Sequence, residues 1–206
     1  MSPYTIKDVH MAIFGEKFYR MLNELNPWQQ SLFALTLAHR QSPNFLLYAE
    51  VTENHEAKKD FLDILGTMWE FHTDKENHIN LEKLLETLEQ HIPDIDDDSP
   101  YGAYPALDAC ISLSQAINAI TNHFGDEAEH ASSASICTVA KYLEFTEEAV
   151  YEDDELYEKP LIAEEMDYQI NLLERISKSR RSPEFTRLLK KECEEMECSN
   201  IGITAD

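Results

Sequence analysis

The residues to weigh first for chemistry are Tyr101, Tyr104 and Asp108, because Asp108 is the sole carboxylate, with no Lys or Arg, between Tyr101 and Phe124. A lone carboxylate in an apolar segment can anchor a ligand in a pocket, its protonation set by burial, with the two tyrosines beside it. The bland reading makes Asp108 a charge near a helix N-terminus, where it stabilises the helix by about 0.3–1 kcal/mol. A concave, partly apolar cavity beside Asp108 would favour the first reading.

Other constellations are weaker. Glu127-x-x-His130 has the spacing of a di-iron ligand pair, but the chain offers no second ExxH, and first-turn acids suit a helix dipole. Asp94, Asp96 and Asp98 carry the alternating carboxylates of a calcium loop, yet Ser99 stands where Gly is needed and Pro105 where the bidentate Glu belongs. Cys110, Cys137, Cys193 and Cys198 form no CxxC, and the eight histidines form no HExxH. Neither a Gly-rich phosphate loop nor a GxSxG elbow is present. The sequence therefore points to no metal, no cofactor and no catalytic constellation.

Charge narrows the partners. The net charge is −23, and residues 92–174 hold 20 acidic side chains against 2 basic ones. Such a field repels phosphate backbones and anionic membranes, so nucleic acid and membrane are excluded as partners and a basic protein surface is favoured. The candidate contact surface is Asp96, Asp97, Asp98, Glu152, Asp153, Asp154 and Glu155, with Val150, Tyr151, Leu156 and Tyr157 interleaved nearby. The alternative is a solvated acidic connection.

Behind these residues stands a helical scaffold. Only 5 Gly in 206 residues argues against a turn-rich β architecture. The central segment predicts a buried helix over 105–124, with Pro105 in its first turn and Gly125 as its stop. Ile6, Val9, Phe14, Phe18, Leu22 and Leu25 mark a first helix; Asn26-Pro27, Ser42-Pro43 and Ser182-Pro183 each read as a cap and first turn. Asn80 caps another helix, Asp126 with Glu129 resembles a capping box, and Gly66 suggests close helix approach. The expectation is an all-α fold, a compact multi-helix bundle of about eight to ten helices around the central one, as a single domain over 1–206. No uncharged run is long enough to span a bilayer and no secretory signal is evident, so a cytoplasmic location is expected; a homo-oligomer stays open.

Four pieces, WQQSLFALTLAHRQSPNF, YGAYPALDACISLSQAI, AEEMDYQINLLERI and SNIGI, together resemble the YjaG-like family of uncharacterised bacterial proteins. The resemblance implies an all-α cytoplasmic protein and brings no reaction or catalytic residue with it. Contact with other proteins is the leading functional expectation, and a small-ligand binder or enzyme with a pocket near Asp108, Tyr101 and Tyr104 is the alternative.

Overall fold

Asparagine and serine caps, Asn54 accepting from the Ala57 N–H among them, start four of the helices in the computed structural model, which describes residues 13–74, 79–96 and 98–204. Asn26 accepts from the Gln29 N–H while Gln29 answers to the Asn26 N–H; Asn80 accepts from Lys83, and Ser182 from Phe185. Each cap satisfies an N–H that has no partner inside the helix. Nine helices lie among the described residues: α1 Glu16–Asn23, α2 Pro27–Val51, α3 His55–Thr73, α4 Leu81–Glu89, α5 Ala103–Thr121, α6 Glu127–Glu147, α7 Asp153–Leu156, α8 Pro160–Ser177 and α9 Pro183–Glu194. The described residues form no strand beyond one antiparallel bridge, Cys198 with Thr204. Ile6 and Val9 of the expected first helix, and Asp97, lie outside the described residues.

The all-α bundle is thus as expected, with a shared centre. α5 packs chiefly on α2 and α6, while α2 also meets α3, α8 and α9. Two helices therefore carry the core. Leu32, Phe33, Leu35 and Leu37 of α2 and Cys110, Leu113 and Ile117 of α5 are fully buried. No helix among the described residues is long and apolar enough to cross a membrane.

Several local expectations are corrected. Ser42-Pro43 opens no new helix, because both residues lie inside the 25-residue α2. Pro43 has no N–H for the His39 carbonyl; the Ser42 hydroxyl donates to that carbonyl instead, at 2.8 Å, so the helix continues. The central helix ends at Thr121 because His123 turns left-handed, φ 52, and returns its N–H to the Asn118 carbonyl at 2.9 Å. Phe124 consequently lies outside the core, 76% exposed.

Asp126 makes no side-chain cap. The buried Glu127 carboxylate instead ties down the turn ahead of the helix, accepting from the Phe124 and Gly125 N–H groups at 2.5 and 3.0 Å, while the helix N–H of Ala128 goes to Gln30. Gly66 admits no close neighbour, since a Cβ built on it meets nothing within 4 Å. Gly66→Ala should therefore stabilise the protein by about 1 kcal/mol in urea unfolding, through helix propensity and a less flexible unfolded chain. A loss of stability would show a steric demand at α3 that the structure lacks.

Candidate functional site

The turn between α5 and α6 sets how far apart these antiparallel helices stand. Glu127 closes the turn from within, and the buried Gln30 of α2 braces it from below, donating to the Gly125 carbonyl at 3.1 Å and accepting from the Ala128 N–H at 3.2 Å. Beyond this clamp the facing sides of α5 and α6 leave a slot of about 490 Å³. Leu107, Ile111 and Ala134 form its apolar walls; Tyr104, Asp108 and Lys141 lie toward one end, Gln115 and His130 toward the other. Leu107 and Ile111 are half-buried rather than enclosed because they face this space.

Asp108 is the chemically distinctive residue of the slot. Its carboxylate accepts from the Thr138 hydroxyl at 2.7 Å. Asp108 is half-buried and the apolar walls limit its hydration, so burial raises its pKa from the ordinary 3.8 to about 6, against the opposing pull of Thr138 and the Lys141 ammonium. Cys137 lines the same wall, and burial pushes its thiol up to about 12, which leaves it protonated and a poor nucleophile at neutral pH. His130 is half exposed, 3.8 Å from Asp126, and does not converge with Glu127.

Tyr101 keeps ring contact with Tyr104, centroids 6.5 Å apart, but does not line the slot with Tyr104 and Asp108. It stacks on Phe145 with ring centroids 4.1 Å apart and lines a separate groove. The acidic candidates divide too. Asp96 is engaged locally, accepting from the Asp98 N–H and the Ser99 hydroxyl at 3.0 and 2.9 Å. Glu152, Asp154 and Glu155 lie at α7, where Leu156 is buried and holds the stretch against the bundle. Lys159 pairs with Glu147 at 2.6 Å and caps the Tyr151 ring at 4.0 Å, so part of the acidic stretch is neutralised from within. Among the described residues no three His, Cys, Asp or Glu side chains gather as a metal site.

Sequence reading misses two buried polar clusters. Arg40 donates to Glu165 at 3.1 Å, with side chains 10% and 1% exposed, and its guanidinium lies 4.3 Å from the Tyr168 ring centroid. The other Glu165 oxygen accepts from Ser135 at 2.6 Å and Gln169 at 2.8 Å. Asn200, from the C-terminal turn, donates to the Ser135 carbonyl at 3.1 Å and accepts from Asn44 at 3.1 Å. The visible signal was polar Arg40 and Asn44 four residues apart on an otherwise apolar helix face.

In the second cluster, the Ser31 hydroxyl lies 2.8 Å from His72 Nε2, the contact of a nucleophile and its base. That hydroxyl donates to the Ala116 carbonyl at 2.6 Å, so the ring must donate to it, the reverse of general-base catalysis. Both residues are buried, and burial holds His72 down to about 3. The pair is structural.

A model of the family described as "Protein of unknown function (DUF416)" matches residues 17–204. This chain belongs to the DUF416 family. DUF416 relatives include an uncharacterised protein of Haemophilus influenzae, 33% identical over 90% of this chain and 95% of that protein. YjaG of Escherichia coli is 34% identical over 88% of this chain and 93% of YjaG, in keeping with the resemblance drawn from the four sequence pieces. The crystal structure of a DUF416 protein from Shewanella baltica matches with a TM-score of 0.76 at 31% identity, over 91% of this chain and 98% of that one. The DUF416 match thus spans α1 to α9, slot and buried clusters included.

Proposed function

We propose that this protein binds a small organic molecule in the slot between α5 and α6: an elongated apolar body whose N–H or O–H donor is received by Asp108. The supporting observation is the slot itself, whose volume of about 490 Å³ lies within the roughly 300–1,000 Å³ of small-molecule sites, with apolar walls converging on one carboxyl. At neutral pH Asp108 is mostly ionised and accepts hydrogen bonds. With the Cys137 thiol protonated, the walls favour binding over nucleophilic attack.

The test uses octylamine and octanol as probes in thermal unfolding at pH 7.5, with octanoate as the control that has no donor. At about a hundred times its Kd, a probe should stabilise the folded state by about 2.7 kcal/mol, or roughly 5–10 °C for a chain of this size. Ser133→Trp, which fills the slot from α6, should abolish the shift. No response from the intact protein, or an equal response from the Ser133→Trp variant, would refute the reading.

A further inference from the structure

A second concavity lies away from the slot, where α2 and α6 both end. The last turns of these helices, the start of α5 and the C-terminal turn enclose a groove of about 280 Å³ with no charged side chain in its lining. Val51, Phe145 and Leu47 line it and are 74%, 58% and 47% exposed, an adjoining set of large apolar side chains with no cover among the described residues. Tyr101 stacks beneath Phe145 and holds the ring in place.

The charged side chains around this groove are mainly acidic. Two helix C-termini converge there, each equivalent to about half a negative charge, where basic residues would ordinarily sit. Neither α2 nor α6 has a basic residue in its last turn. Glu53 and Glu148 stand instead just past these ends, both exposed and both in the left-handed region, φ 56 and φ 50. Glu50 nearby is paired with Lys58 at 2.7 Å, and Asp98 is exposed beside the groove residue Pro100.

We propose that this groove docks a basic amphipathic helix of a partner protein, whose apolar side chains enter between Val51 and Phe145 and whose Lys or Arg residues meet Glu53, Glu148 and the two helix ends. Apolar anchors in a groove with charge complementarity around them are the elements of helix-in-groove recognition. A second copy of this chain fits poorly, because it carries the same net charge of −23. An anionic membrane surface is repelled for the same reason. The site is separate from the slot, and the two proposals stand or fall independently.

The probe is a fluorescein-labelled 18-residue amphipathic peptide of Leu and Lys, titrated by anisotropy at low and high salt, with a Leu/Glu counterpart. The full chain should bind the Leu/Lys peptide, more weakly as salt rises, and ignore the Leu/Glu peptide. The double variant Val51→Ser with Phe145→Ser should lose at least roughly tenfold in affinity, the scale of a lost interface anchor. Glu53→Gln with Glu148→Gln should lose a similar amount and flatten the salt dependence, whereas Ser133→Trp should change nothing. Failure of the intact protein to bind overturns the proposal. So does binding unaffected by the apolar double variant, which would be charge-driven adsorption alone, or sedimentation showing a dimer that this variant dissolves.

Discussion

Arg40→Ala should destabilise the protein by about 3–5 kcal/mol in urea unfolding, the cost of leaving a buried carboxylate without its cation. Glu165 is 1% exposed and cannot turn to water, and the Ser135 and Gln169 donors do not replace the charge that Arg40 supplies at 3.1 Å. Against a total stability of about 5–15 kcal/mol, that loss is a large share. Arg40→Lys keeps the charge but loses the planar group against Tyr168, so it should fall between the two. The double variant Arg40→Met with Glu165→Leu should recover most of the loss, because it removes both buried charges together. A cost under about 1 kcal/mol for Arg40→Ala would mean that the pair behaves as a surface ion pair and that Glu165 finds solvent.

Asp108→Asn should make the protein more stable at pH 8 and leave it unchanged at pH 4. The folded state raises the Asp108 pKa from 3.8 to about 6, so it binds this proton more tightly than the unfolded chain does. The associated stability is fully present below about pH 4 and is lost as pH rises through 6. Two units correspond to about 3 kcal/mol, so the neutral isostere should gain about 2–3 kcal/mol at pH 8, its amide oxygen still accepting from Thr138. Burial also holds His39 near 4 and His72 near 3, and these must charge as acid is added; subtracting variant from parent at each pH removes their share. A gain that does not depend on pH would place the effect in packing rather than in the carboxylate.

The same variant connects stability to the proposed ligand. Asp108→Asn should weaken octylamine binding while raising the melting temperature of the free protein, a pairing expected of a group kept at some cost to the fold.

Much of this was legible from local pattern. Asn26, Asn80 and Ser182 cap helices for reasons contained within four residues, so the sequence displays both partners of each bond. Asp108 stood out because a charge in an apolar segment is visible without coordinates. Pro43 misled because the relief of its missing hydrogen bond comes from the hydroxyl of Ser42, a residue that equally suits a cap. Asp126 caps nothing because Gln30 of α2, 98 residues away, takes the Ala128 N–H and Glu127 binds the turn ahead of α6, partners that no local spacing encodes. Tyr101 and Tyr104 keep ring contact yet line different cavities, because residues three apart at a helix entrance can face different ways. Arg40 and Glu165 lie 125 residues apart, and a single sequence carries no trace of such a meeting.

The position of Asn200 bears on how the chain matures during its own synthesis. This side chain joins Asn44 and Ser135 across 156 and 65 residues, so it is polymerised after both of its partners. At about 5–20 residues per second, translation from Asn44 to Asn200 takes on the order of ten seconds or more, far longer than helical proteins need to fold. The interior around Ser135 and Glu165 thus waits, partly unpaired, for Asn200 to be made, so a product cut short before SNIGI would hold most of the helices yet lack these closing contacts.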